Sequence, residues 1–121
     1  MNLRTVFKVQ SIVLFLNAIG GLFLTSAFLG AAGWEVTDDL ITLGQFSGMT
    51  FLVFSIWAWR FPDVASESIK SIGMLHAIGG LLFTIIIAYH SMIGAVAGPT
   101  AYVNIIFTAL FAIGFYIYSR D

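Results

Sequence analysis

Apolar residues occur in long runs along this chain, and the charged residues are confined to the gaps between the runs. Three stretches contain no Asp, Glu, Lys or Arg, namely residues 9–34, 40–59 and 71–119. About 20 apolar residues cross the hydrocarbon core of a bilayer as a helix, so the first two stretches hold one span each. The third is long enough for two spans, and Gly98-Pro99 divides it, because proline lacks a backbone N–H and restricts the residue before it. The pattern predicts four helices, namely residues 6–30, 40–60, 70–93 and 101–119.

Part of the sequence occurs almost twice, with an offset of 59 positions. Residues 16–25 (LNAIGGLFLT) return as residues 75–84 (LHAIGGLLFT). Self-similarity at a fixed offset predicts a duplicated unit, here a helical hairpin. Both hairpins begin and end on one side of the membrane, so the repeat is parallel, related by an axis along the membrane normal. The predicted fold is an all-α integral membrane protein, a four-transmembrane-helix bundle forming one domain over residues 1–121, with repeats at about 1–60 and 61–121.

Composition agrees with a membrane protein, since 60% of the residues are hydrophobic and 9% are charged, against about 25% charged in soluble domains. In the four-span arrangement the five basic residues fall on one side, namely Arg4, Lys8, Arg60, Lys70 and Arg120. The positive-inside rule predicts cytoplasmic N and C termini in a plasma membrane such as the bacterial inner membrane. The opposite side carries an acidic loop at 35–39, and no basic cluster indicates a nucleic-acid partner.

Glycines recur at positions where neighbouring helices are expected to touch. Lipid tails are as apolar as leucine, so membrane helices associate through close packing, which glycine permits. The glycines concerned are Gly20 and Gly21 in the first predicted helix, Gly44 and Gly48 in the second, and Gly79 and Gly80 in the third. They predict helix contacts within the bundle or across a homo-oligomer.

Two histidines share one face of the third predicted helix. His76 and His90 lie about 21 Å apart along the axis, on a stripe with Gly79 and Gly80. An ionisable residue within a span is a candidate ligand or proton-transfer group. The other interpretation of His76 is a neutral ring hydrogen-bonded to a neighbouring helix, at the position that Asn17 occupies in the first repeat; His90 is then a wetted interfacial residue.

Histidines fourteen residues apart on one membrane helix resemble the haem-ligating helices of the b-type cytochromes in respiratory complexes. The resemblance covers one helix and implies haem at His76 and His90, held in a symmetric dimer that places each histidine opposite its copy. The same imidazoles are also suited to a chlorophyll-like pigment. At the acidic side, His90 with Glu35 or Asp38 is a further candidate for metal binding or proton movement.

Amide side chains are expected to form a polar seam inside the bundle, because facing lipid would leave them unpaired. The seam would contain Asn17, Gln45, Ser47, Thr50, Asn104 and Thr108. Such a seam either holds the helices in register or lines a pocket for a lipid or another small molecule.

Catalytic chemistry finds little support in the sequence. The predicted spans contain no carboxylate, which disfavours a proton-coupled drug exporter, and no HExxH or nucleophile-elbow motif is present. No catalytic residue is predicted, and an enzyme is not favoured. The favoured function is a small non-enzymatic subunit or scaffold, surrounded by membrane lipids, that self-associates or packs into a larger membrane complex. The alternative is a protein that binds or transports a lipid, quinone, haem or pigment, using His76, Asn17, Gly79, Gly80, Gln45 and Asn104.

Overall fold

Five α-helices joined by short connections make up most of residues 1–120, the part of the chain that the computed structural model describes. They are α1 (Leu3–Phe23), α2 (Thr25–Ala31), α3 (Asp38–Val64), α4 (Ile69–Met92) and α5 (Pro99–Ser119). A short 3₁₀ turn at Ser66–Ser68 precedes α4. The structure is 86% helical and residues 1–120 contain no strand, which confirms the all-α prediction.

Four of these helices are long and apolar enough to cross a membrane, judged by length and composition. They are α1, α3, α4 together with the turn before it, and α5. This agrees with the four spans expected from the charge-free stretches and with a multi-pass membrane protein. The break between the last two spans also lies where it was predicted, since Gly98 has a φ of 83° and α5 begins at Pro99.

The structure differs from the predicted first helix, which is interrupted at Leu24. This residue has φ −123° and ψ 33°, so α1 ends before it and α2 begins after it. The ring of Phe28 folds back onto Gly20, a close contact that a β-carbon at position 20 would prevent. Gly20, which was expected to line a contact between long helices, therefore accommodates a contact across the break in its own segment.

The helix predicted over residues 40–60 is α3, which begins two residues earlier, at Asp38, and ends four residues later, at Val64. Thr37 is its N-cap, with its hydroxyl oxygen accepting a hydrogen bond from the Leu40 N–H at 3.2 Å. Asp38 and Asp39 occupy the first turn, where carboxylates interact favourably with the helix dipole. At the other end the helix continues past residue 60 through Pro62 to Val64.

Cations from α1 stabilise the end of α3, which has no basic residue in its own last turn. Lys8 Nζ donates to the Trp59 carbonyl at 2.6 Å, and an Arg4 guanidinium nitrogen donates to the Pro62 carbonyl at 3.1 Å. Carbonyl groups in the last turn of a helix lack helical partners and carry partial negative charge. The Pro62 carbonyl lies in this last turn, so Arg4 supplies it with a donor from another helix, whereas the Trp59 carbonyl bound by Lys8 lies one turn earlier.

Packing is organised as two pairs, α1 with α3 and α4 with α5, with further contact between α1 and α5. Six of the ten buried hydrophobic residues among residues 1–120 are alanines, namely Ala18, Ala32, Ala58, Ala77, Ala101 and Ala112. Leu43, Phe46, Leu82 and Ile113 are instead more than half exposed. Small residues inside and large apolar residues outside are what helices in lipid require, because close backbone approach drives their association.

Glycines make the closest approaches within both pairs. A β-carbon added at Gly21 would lie 2.9 Å from the Gly48 Cα atom, so α1 and α3 touch backbone to backbone. In the second pair, a β-carbon added at Gly80 would lie 3.1 Å from both the Ala112 Cβ atom and the Thr108 carbonyl oxygen. At these three glycines the predicted helix contacts are confirmed within one chain.

The bundle has a basic end and an acidic end. At the basic end, α1 begins beside the end of α3, and Gly73 of α4 contacts both Leu3 and Ser119. At the acidic end, which carries the loop at 35–39, the indole N–H of Trp34 donates to the Ala95 carbonyl at 2.9 Å. The loops following α2 and α4 are thereby connected.

Candidate functional site

His76 lies where the four long helices meet. Its Nδ1 atom is 2.9 Å from Oε1 of Gln10 on α1. Its ring centroid lies 5.0 Å from that of Phe7 on α1, 5.8 Å from that of Phe61 on α3 and 5.0 Å from that of Phe115 on α5. These five residues, here called the His76 cluster, connect both helix pairs. The interpretation of His76 as a ring bonded to a neighbouring helix agrees with this geometry.

The hydrogen bond to Gln10 determines which nitrogen of His76 is available. With Oε1 of Gln10 as the acceptor, Nδ1 must carry a proton, and in the neutral ring Nε2 is then an acceptor. No hydrogen bond to Nε2 is made within residues 1–120. Any proton transfer or ligand bond at this ring would therefore take place at Nε2.

The other amides of the predicted ligand site are not gathered around His76. Asn17 donates to the Val13 carbonyl at 3.0 Å, and Asn104 donates to the Thr100 carbonyl at 2.8 Å, each within its own helix. Gln45 is exposed. The amide that does reach His76 belongs to Gln10, which the sequence analysis did not predict as a site residue. Its position inside the first charge-free stretch was a signal that could have identified it.

The polar seam expected inside the bundle is not formed as one continuous feature. Ser47 and Thr50 are exposed, and their hydroxyls donate to the Leu43 and Phe46 carbonyls of their own helix at 3.0 Å each. Bonding back to the carbonyl four residues earlier satisfies a hydroxyl without a second helix. Thr108 does accept a hydrogen bond from Thr84 across the second pair at 2.9 Å.

The remaining predicted site residues are on α4, with Gly79 and Gly80 one turn beyond His76 and His90 near the end of the helix. Gly80 packs against α5, whereas a β-carbon at Gly79 would meet nothing within 4 Å. His90 is in the last turn of α4, with its ring 5.2 Å from that of Tyr89. Within residues 1–120, no group of three His, Cys, Asp or Glu residues could hold a metal ion.

An ion-pair cluster at the basic end was also missed from the sequence. Asp63 accepts from Arg4 at 2.8 Å and from Lys8 at 3.1 Å. The ammonium of Lys8 additionally lies 4.1 Å from the ring centroid of Trp59. Arg4 and Lys8 are each more than fifty residues from Asp63 in sequence, so no local sequence pattern predicts these ion pairs.

A reciprocal hydrogen-bonded pair joins α1 and α3 below the surface. The Ser11 hydroxyl donates to the Ser55 carbonyl at 2.7 Å, and the Ser55 hydroxyl donates to the Ser11 carbonyl at 2.9 Å. Both serines are buried, and they also line a surface groove of about 360 Å³. The rest of its lining is Ile12, Phe15, Ile56, Trp59 and Arg60. We call it the α1/α3 groove.

A second, wider groove of about 560 Å³ opens at the acidic end. It is lined by Gly33, Trp34, Glu35, Thr37 and Leu40. Neither groove is lined by His76, whose surroundings are instead filled by aromatic rings.

Comparison with known proteins adds no identification, because no protein-family model, curated protein or solved structure matches this chain. Residues 1–120 form a helical protein with four segments suited to a membrane, polar contacts between helices at His76–Gln10 and Ser11–Ser55, and an outer surface of large apolar side chains.

Proposed function

We propose that this chain is a small non-enzymatic membrane subunit or scaffold that self-associates or packs into a larger membrane complex. The observation that carries the proposal is Gln45, which is exposed on α3 inside the charge-free stretch 40–59. Its amide makes no hydrogen bond within residues 1–120. An unsatisfied polar group in hydrocarbon costs several kcal/mol. Pairing with a polar group on another helix removes that cost.

Depth along the helix supports this interpretation of Gln45. The residue lies seven positions beyond the first residue of α3, or about 10 Å along the axis. Its neighbours Phe46 and Met49 are exposed by 69% and 50%, so the surrounding surface is apolar. An amide on such a surface is suited to hydrogen bonding between subunits.

A parallel duplication of a two-helix hairpin is the origin we infer for the fold. In support, Thr25 donates to the Gly21 carbonyl at 2.6 Å, and Thr84 donates to the Gly80 carbonyl at 2.8 Å. These two hydrogen bonds are related by the same 59-residue offset as the sequence repeat. In each pair the glycine concerned is also a point of close helix contact.

The proposed location is a plasma membrane, such as the inner membrane of a bacterium, with the basic end and both termini in the cytoplasm. The support is the placement of Arg4, Lys8, Arg60 and Lys70 at or beyond the same end of the long helices. Basic residues flanking spans are retained on the cytoplasmic side during insertion.

The alternative function, binding of a hydrophobic ligand or a haem at His76, has one supporting observation. The Nε2 atom of His76 makes no hydrogen bond within residues 1–120 and is chemically able to ligate. Against it, Phe7, Phe61 and Phe115 already surround the ring. The scaffold function is therefore the one we favour.

Self-association can be measured by energy transfer between donor- and acceptor-labelled protein in liposomes at decreasing protein-to-lipid ratios. Gln45→Leu is expected to weaken association by about threefold, the equivalent of the mean of about 0.6 kcal/mol for an interhelical hydrogen bond in a membrane. Ser47→Ala is the matched control, because the Ser47 hydroxyl already bonds to the Leu43 carbonyl of its own helix.

Two results would count against self-association through α3. One is a wild-type protein that remains monomeric at every protein-to-lipid ratio. The other is an equal effect of Gln45→Leu and Ser47→Ala, which would show that the amide has no particular role. Far-UV circular dichroism of each variant separates a lost contact from a lost fold.

A further inference from the structure

The α1/α3 groove has the apolar lining of a binding site for a chain-like ligand. Three of its side chains face outward and are each about half exposed, namely Ile12 at 52%, Phe15 at 46% and Ile56 at 55%. At its base, the hydroxyls of Ser11 and Ser55 are satisfied by each other's helix. The volume of about 360 Å³ falls within the range of about 300–1,000 Å³ typical of small-molecule sites.

The basic end of the groove is closed by Trp59 and Arg60. A tryptophan ring prefers the headgroup level of a bilayer, and an arginine side chain extends from there toward water and phosphate. Arg60 is exposed and forms no ion pair within residues 1–120. The groove therefore leads from an apolar surface to an exposed cation that makes no direct ion pair.

The charge around this end remains positive after all its ion pairs are counted. Arg4 and Lys8 share the single carboxylate of Asp63. Among residues 1–120, this end carries five basic side chains (Arg4, Lys8, Arg60, Lys70 and Arg120) against two acidic ones (Asp63 and Glu67), which leaves an excess of three positive charges. An anionic partner complements this excess, whereas the basic end of a second parallel copy would bring further positive charge against it.

We propose that the α1/α3 groove binds one phospholipid with an anionic headgroup. One acyl chain lies along Ile12, Phe15 and Ile56, and the headgroup phosphate accepts hydrogen bonds from the guanidinium of Arg60. Guanidinium and phosphate form charge-assisted, often bidentate hydrogen bonds, which gives Arg60 the main role in selecting the headgroup. This site is independent of Gln45 and of the proposed self-association.

The test uses the whole protein in nanodiscs of phosphatidylcholine containing one-tenth phosphatidylglycerol, with retained lipids counted by native mass spectrometry. The wild type is expected to retain one phosphatidylglycerol in preference to phosphatidylcholine. Arg60→Gln is expected to reduce that preference about fivefold, the equivalent of about 1 kcal/mol per basic residue near an anionic surface. Lys70→Gln is the matched control, because Lys70 is an exposed basic residue at the same end that does not line the groove.

A second variant tests the acyl-chain part of the site. Ile56→Trp fills the groove from a lipid-facing position and is expected to lower retention of both lipids, with helicity unchanged. Equal losses for Arg60→Gln and Lys70→Gln would overturn the proposal in favour of diffuse attraction to anionic lipid. Full lipid retention in Ile56→Trp, accompanied by conversion of a dimer to a monomer, would show instead that a second copy occupies the groove.

Discussion

The contact between Gly21 and Gly48 makes a sharp prediction about the stability of the α1–α3 pair. In Gly21→Ala, the new methyl group would lie 2.9 Å from the Gly48 Cα atom and 3.2 Å from the Gly48 nitrogen and the Gly44 carbonyl oxygen. Ordinary contacts of a β-carbon begin near 3.4 Å, and every atom met here belongs to the backbone. The two helices must therefore separate, because no flexible side chain can move aside.

A separation of about 0.5–1 Å already forfeits a quarter to a half of the dispersion energy of each contact it opens. Overpacking of this kind costs about 1–3 kcal/mol, and we expect Gly21→Ala to lower the free energy of unfolding by that amount. Gly79→Ala is the control. It lies at the depth of Gly20 in the other repeat, meets nothing within 4 Å and gains up to about 1 kcal/mol of helix propensity.

The measurement is equilibrium unfolding of the dispersed protein in dodecylmaltoside micelles titrated with sodium dodecyl sulfate, followed by near-UV circular dichroism. A double variant, Gly21→Ala with Gly48→Ala, should cost less than the sum of the single variants, because the first methyl group has already separated the helices. Additive effects would contradict the shared contact. So would a Gly79→Ala variant destabilised as much as Gly21→Ala.

Two further predictions concern the His76 cluster and the orientation. Gln10→Leu should lower the free energy of unfolding by about 0.6 kcal/mol through loss of the hydrogen bond to His76. His76→Ala should lower it by about 2 kcal/mol, because this variant also loses the ring packed against three phenylalanines. Equal effects in the same detergent titration would argue against the aromatic packing. The chain has no cysteine, so single variants can be labelled selectively. In intact cells an impermeant maleimide should label Glu35→Cys and spare Glu67→Cys until the membrane is opened, and the reverse pattern would refute the proposed orientation.

The positions of the long helices could be predicted because the bilayer imposes a length and the charges mark its limits. The start of α3 could also be predicted, since Thr37 and the two aspartates after it form a local cap. The end of α3 could not. Its contacts come from α1, since Arg4 donates to the Pro62 carbonyl in the last turn and Lys8 donates to the Trp59 carbonyl one turn earlier.

The candidate site shows the same limit. His76 stood out as an ionisable residue in a span, but its partner depends on how α1 and α4 face each other, which periodicity alone does not determine. Asn17, predicted with His76 in the same ligand site, instead bonds to its own helix. The interruption at Leu24 was hidden for a related reason, because it involves the ring of Phe28 and a glycine eight residues earlier.

The arrangement of the helices in two pairs has a consequence for how the protein is made. All partners of Arg4, Lys8 and Ser11 in the first pair precede residue 65, so α1 and α3 can close on each other while the ribosome is still synthesising α4 and α5. His76 differs, because its aromatic neighbours come from both pairs. The contacts of this ring form only after both pairs have been synthesised. The His76 cluster therefore assembles when the two pairs dock.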